Sequence, residues 1–175
     1  MKLFIGLASS DDIPKKYYDD CSNYLNELLK DNDLVFGAYS KGLMGLSYNI
    51  AKENNRKVSA VALKRHKEDT NDLDLDNLSL VSSILKRTNE LIQSCDAIIF
   101  LPGGIGTINE IFASIDMARS NEINKKIVFY NSNGYYDKLF EFLDRLYTDK
   151  FSPDEIKKLY YVSNSAKDTL EYLNK

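Results

Sequence analysis

Histidine, cysteine, proline and tryptophan are scarce in this 175-residue chain: one, two, three and none. With His66 as its one histidine, a histidine-based metal cluster or a Ser-His-Asp triad lacks support. His66 stands among charged neighbours and reads as solvated. Cys21 and Cys95 are too few for a disulfide framework, so a reducing, cytoplasmic compartment is expected. No apolar run approaches the roughly 20 residues needed to cross a bilayer. The stretch Leu3 to Ala8 is too short for a signal peptide and is followed by Ser9, Ser10, Asp11 and Asp12, the wrong flank for one. No membrane partner is therefore expected. Excess positive charge is missing too: 23 basic against 26 acidic residues leave −3, which argues against the broad footprint of a nucleic-acid binder while leaving small anions open. Repeats, low-complexity tracts and Pro/Gly-rich linkers are absent, and one domain over 1–175 is the simplest expectation.

What is present is an alternation of short apolar runs with longer segments of helical period, the pattern of a parallel sheet with crossover helices on both faces. Strands are expected over 2–8, 33–38, 57–63, 96–101, 126–131 and 159–162. Helices are expected from Tyr17 to Leu29, Leu43 to Asn54, Val81 to Ser94, Thr107 to Ser120, Tyr136 to Asp149 and Ala166 to Leu173. The fold class is thus α/β, a doubly wound, mainly parallel sheet of six or seven strands. The run Asp96 to Leu101 is apolar on both alternating faces and should lie centrally. Lys64 to Ser79 reads as one long irregular loop. Its Asp72, Asp74 and Asp76 have calcium-loop spacing, but Asn77 and Ser83 stand where that loop needs Gly and Glu, so a solvated acidic loop and no metal site is the reading.

Ligands of doubly wound sheets bind beyond the carboxyl ends of the strands. Three loops there are rich in small residues. Ala8-Ser9-Ser10 offers hydroxyls and free amides, and Gly42 and Gly45, with Met44 between them, would let the backbone of the second loop approach a ligand. The third loop, Pro102-Gly103-Gly104-Ile105-Gly106-Thr107, follows the most buried strand and opens a helix, where unpaired N–H groups and the positive end of the dipole favour an anion. Thr107-x-x-Glu110 also spells a capping box. A capping box alone does not call for three glycines and a proline just before it, which favours a phosphate loop. No Gly-Lys-Ser/Thr follows, and the spacing fails the Gly-x-Gly-x-x-Gly fingerprint, so ATP hydrolysis and NAD binding lose support. Arg87, between Ile84 and Leu91 in the helical stack, reads by itself as a surface arginine.

The string Pro102-Gly103-Gly104-Ile105-Gly106-Thr107-Ile108-Asn109-Glu110 resembles the PGGxGTxxE pattern of the LOG (LONELY GUY) family. Gly42-Leu43-Met44-Gly45 and the turn Asn133-Gly134-Tyr135-Tyr136-Asp137 add to the resemblance, which spans nearly the whole chain. The family's members are cytokinin-activating nucleoside 5′-monophosphate phosphoribohydrolases. The resemblance implies a Rossmann-like fold, a homodimer and no cofactor. It implies hydrolysis of the N-glycosidic bond of a purine nucleoside 5′-monophosphate, N6-modified adenine included. Glu110 and Arg87 are the implied catalytic pair, and Gly103, Gly104, Gly106 and Thr107 the residues that hold the phosphate. Ser9, Ser10, Gly42 and Met44 would line the pocket. The chain departs from the pattern at Tyr39, where the family has the third residue of a glycine triplet, at Thr88 in place of a lysine and at Asn109 in place of the first of two glutamates. Thr88 would remove a positive charge from beside the site, which Lys86 would partly restore. A nucleotide-sensing module without turnover is the alternative. Amino-acid decarboxylation is disfavoured, because none of Lys41, Lys57, Lys64 or Lys86 stands out as a Schiff-base lysine.

Overall fold

A computed structural model describes all 175 residues. Seven strands, all parallel, form one sheet in the order β4-β3-β2-β1-β5-β6-β7. They are β1 (Lys2–Gly6), β2 (Asp33–Phe36), β3 (Val58–Leu63), β4 (Asn77–Val81), β5 (Ala97–Phe100), β6 (Lys126–Tyr130) and β7 (Tyr161–Ser163). The helices are α1 (Lys15–Leu28), α2 (Gly42–Glu53), α3 (Ile84–Gln93), α4 (Ile105–Arg119), α5 (Asp137–Thr148) and α6 (Ala166–Leu173).

The two-residue period of the strands divides the interior between the faces. Leu3, Ile5, Ile99 and Leu101 join a core with α1, α2 and α6; Phe4, Ile98 and Phe100 join another with α3, α4 and α5. The buried residues of α1, Cys21, Tyr24, Leu25 and Leu28, follow the spacing of one helical stripe. Side-chain caps start two helices: Ser83 accepts from the Lys86 amide at 3.3 Å and Ser165 from the Asp168 amide at 3.1 Å. Lys125 closes α3 at its other end, its ammonium donating to the carbonyls of Ile92, Gln93 and Cys95 at 2.7, 2.8 and 2.7 Å.

Two expectations change here. Residues 64–79 are not one irregular loop: Lys64–Thr70 turns as a 3-10 segment, and Asn77 opens the seventh strand, β4. Val81 ends that strand, and α3 starts only at Ile84 behind its Ser83 cap. β4 escaped notice because it is an edge strand with one neighbour, and its Leu78 remains 42% exposed. The aspartates of this region serve the fold. Asp76 accepts from the Val58 amide at 2.8 Å, and Asp74 pairs with Lys52 at 2.6 Å.

From β1 the chain winds outward through β2, β3 and β4, then crosses back to β5 on the other side of β1. The switch point, where neighbouring strands send their following loops in opposite directions, lies between β1 and β5.

Candidate active site at the head of α4

The loops leaving β1 and β5 face each other at this point, tied by the Ala8 amide donating to the Pro102 carbonyl at 3.0 Å. Between them lies a crevice of about 290 Å³ lined by Ala8, Ser10, Tyr17, Pro102, Gly103, Gly104 and Tyr135, among others. The Tyr135 hydroxyl donates to the Gly103 carbonyl at 2.7 Å, and its ring meets Tyr17 edge to face at 5.4 Å. Both tyrosines went unnoticed as site residues in the sequence; the turn containing Tyr135 was visible, but its reach to the glycine loop was not.

α4 opens at Ile105 with Gly104 in the cap position and no side-chain cap, which leaves its first N–H groups free for an anion. The capping box therefore does not form. Thr107 sits in the first turn, buried, with its hydroxyl turned to the Leu7 carbonyl at 3.4 Å, and Glu110 points away from the helix start. Gly103 is needed for packing, since a Cβ there would collide with the Thr107 side chain. Gly104 and Gly106 face open space, so nothing of the protein stands between their backbone and an incoming group.

On the β2 and β3 side of β1, Arg87 and Glu110 come together. The Arg87 guanidinium donates through Nε to the Val61 carbonyl at 3.1 Å, through Nη2 to the Gly37 carbonyl at 3.1 Å, and through Nη1 to Glu110 Oε1 at 3.3 Å. Three of its five N–H groups are thereby used, and two remain for a ligand. Its side chain is 18% exposed, so it is not the surface arginine that its helical position alone suggested. Glu110 is 3% exposed. Burial pushes its carboxyl up to about 7, against the opposing pull of the Arg87 charge and hydrogen bond. Its Oε2 makes no hydrogen bond, yet no buried side-chain oxygen in the chain is both sealed and unpartnered, so this oxygen keeps an opening to solvent.

Two glycines make room for the pair. A Cβ on Gly37 would strike Arg87 Nη2, and one on Gly6 would lie 2.7 Å from Phe100 and 3.2 Å from Glu110 Oε2. Gly6 left no trace in the sequence, where it reads as an ordinary strand-end glycine.

Among the remaining candidates, Ser9 and Ser10 are exposed and Met44 lies beside Gly37. Gly42 and Gly45 do allow a close approach, but to the chain's own backbone: Gly42, at φ +58°, packs on Ser9 and Ser10, and Gly45 on Ser40. Thr88 is buried and does not front the site; its hydroxyl accepts from Asn109 Nδ2 at 3.1 Å. Lys86 is exposed and is not among the charges acting on Glu110, where Arg87 is. The two thiols are unsuited to nucleophilic chemistry, burial raising Cys21 to about 12 and Cys95 to about 11.

A doubly wound parallel sheet with a glycine loop at its switch point, leading into a helix that carries a buried carboxylate, defines a Rossmann-like α/β protein. Residues 44–173 match the family described as "Possible lysine decarboxylase", and the chain belongs to this family, the LOG family. It is 30% identical over 175 residues to a protein of Oryza sativa subsp. japonica named "Probable cytokinin riboside 5'-monophosphate phosphoribohydrolase LOGL6", covering 98% of this chain and 70% of the relative. It is 29% identical to a cytokinin riboside 5'-monophosphate phosphoribohydrolase of Arabidopsis thaliana, covering 98% and 81%. Among solved structures, the molybdenum cofactor carrier protein of Chlamydomonas reinhardtii superposes with a TM-score of 0.70 at 16% identity, over 99% of this chain and 95% of the other. The molybdenum cofactor binding protein of Rippkaea orientalis gives 0.68 at 15%, over 99% and 94%. At these identities the likeness is one of fold. The chemistry in the family's description does not fit this chain: no lysine lines the crevice, and Lys41, Lys57, Lys64 and Lys86 are all outside it, leaving no Schiff-base lysine for pyridoxal phosphate. No helix is long and apolar enough to cross a membrane.

Proposed function

We propose that this chain hydrolyses the N-glycosidic bond of a purine nucleoside 5′-monophosphate, releasing the free base and ribose 5-phosphate. The observation that carries this reading is Glu110: a buried carboxyl raised to about 7, with one oxygen on Arg87 and the other free, on the helix whose head presents the glycine loop. The 5′-phosphate binds the first-turn amides of α4 beside Gly103, Gly104, Gly106 and Thr107, with the Ser9 and Ser10 hydroxyls opposite. Cleavage builds positive charge on the ribose as the bond from C1′ to the base nitrogen lengthens. Ionised Glu110 stabilises that charge and takes the proton of the water that attacks C1′, while the electron pair of the broken bond leaves with the base. Arg87 holds Glu110 and offers its two remaining N–H groups to the ribose phosphate. The names of the relatives support a cytokinin-type, N6-substituted adenine nucleotide as the finer choice of substrate.

The test is incubation with AMP, GMP, CMP, UMP and an N6-prenylated AMP, following free base by chromatography. Base released by wild type and lost about 10²- to 10⁴-fold in Glu110→Gln supports the assignment, that being the span expected for a general acid or base. No release from any nucleotide, with AMP still raising the melting temperature, replaces it with a sensing module. A homodimer belongs to the same proposal. Leu85 and Ile105, 77% and 86% exposed, are the apolar side chains that a second copy would cover, and light scattering in solution tests it.

A further inference from the structure

Arg87 is fixed to the sheet, whereas Glu110 travels with α4. Two anchors of the guanidinium are the carbonyls of Gly37, just past the end of β2, and Val61 in β3, and these set its position whatever α4 does. The remaining bond, to Glu110 Oε1, is long at 3.3 Å, and its length depends on where α4 sits on the apolar core formed by Leu91 and Ile92 of α3 with Ile111 and Ile115. One other side-chain hydrogen bond joins α3 to α4. It lies one residue along each helix, where Asn109 Nδ2 donates to Thr88 Oγ1 at 3.1 Å. Residues 87 and 88 of α3 thus face 110 and 109 of α4 as two successive rungs, one charged and one neutral.

We propose that Thr88 and Asn109 are positioning residues, a clamp that holds α4 against α3 so that the Glu110 carboxylate stays on the Arg87 guanidinium. Thr88 is buried and Asn109 exposed, so the bond sits at the rim of the α3–α4 seam with its acceptor end shielded from water. Arg87 is the charged side chain acting on Glu110. The other titratable group facing it is the Tyr136 phenol, which burial holds neutral; Gly6 of β1 and Phe100 of β5 complete the surroundings without charge. Opening the clamp weakens the one contact that lowers the proton affinity of Glu110. The carboxyl then titrates higher, and less of it is ionised at neutral pH.

The inference rests on the phosphoribohydrolase reading for its kinetic readout alone. The primary experiment follows the Glu110 carboxyl directly, by NMR of glutamate-labelled protein across pH 5–9, in wild type, Thr88→Val, Thr88→Ser and Asn109→Ala, with Glu110→Gln to assign the signal. In Thr88→Val and Asn109→Ala the midpoint should rise by about half a unit or more, equivalent to a threefold or greater gain in proton affinity. Thr88→Ser, which keeps the hydroxyl, should titrate as wild type. With AMP as substrate, kcat at pH 7 should fall about twofold or more in the two disrupting variants, as the ionised share of Glu110 drops from about one half to about one quarter, with KM unchanged, since the group altered acts on the transition state. The clamp is refuted if the midpoint stays put in both variants while only the melting temperature falls, or if Thr88→Ser shifts it as far as Thr88→Val. Should wild type release no base, the NMR midpoints still decide the clamp and only the assigned reaction fails.

Discussion

Glu110→Gln should make this protein more stable while removing its activity, and the gain should depend on pH in a defined direction. A glutamate in the unfolded chain titrates at 4.5, and burial raises the folded-state value to about 7. Between these values the folded protein binds a proton that the unfolded chain has released, so stability falls as pH rises through the window. The stabilising share of Glu110 is complete below 4.5 and lost above about 7, where the carboxylate is ionised in the folded protein at a cost. The gap of about 2.5 units, at 1.36 kcal/mol per unit, corresponds to about 3 kcal/mol. The substituted amide has no charge to desolvate, and its carbonyl can still accept from Arg87. For a chain of this size 1 kcal/mol moves the melting temperature by about 2–4 °C, so the variant should melt about 6–12 °C above wild type at pH 8.5. The difference should close towards pH 4.5. Thermal melts of both proteins followed by circular dichroism from pH 4.5 to 8.5 measure this, because subtraction cancels every other titrating group. A difference that is flat with pH, or that favours wild type at pH 8.5, refutes the burial argument and the assignment of a raised carboxyl with it.

Three further outcomes follow from the same geometry. Base release by wild type should rise with pH through a midpoint near 7, as Glu110 ionises; a profile that falls over pH 6–8 assigns the carboxyl the acid's part instead. Gly37→Ala places a methyl on Arg87 Nη2, and kcat/KM should drop about tenfold or more as the guanidinium shifts, a loss that unchanged kinetics would disprove. Lys125→Met strips three carbonyls around the end of α3 of their ammonium, and should lower stability by about 1–3 kcal/mol with kcat unchanged; denaturant titration and a standard assay separate the two effects.

How much of this was legible in the sequence varied with how local each feature is. The stretch from Pro102 to Thr107 and the carboxylate behind it form one continuous string, and the structure has it directly after a buried strand as expected, but with the helix starting two residues earlier, at Ile105. Arg87 was legible only through the family resemblance. Its helical position marks a polar boundary, and whether such a residue reaches solvent or bends towards β2 and β3 is decided by tertiary packing. Tyr17 and Tyr135 were missed for a similar reason: they meet across more than a hundred residues of chain, and no spacing rule links them. β4 was lost to its edge position, where one neighbour and a part-exposed face weaken the hydrophobic alternation that betrays inner strands. Val81, read as the first turn of a helix, shows how one apolar residue can satisfy both periods until the cap at Ser83 is recognised.

The notch left by Gly6 at the end of β1 gives the carboxylate room in the packed interior, beside the central strand and Phe100, while the crevice between the β1 and β5 loops is lined by other residues. Burial and proton affinity are thus properties of the packed interior, and under the proposed function recognition of the ligand is a property of the loops. The two can diverge separately. Crevice residues such as Ser10 and Tyr135 can be exchanged to suit a different ligand without retuning the acid, whereas any side chain at position 6 would press on the acid and leave those loops untouched.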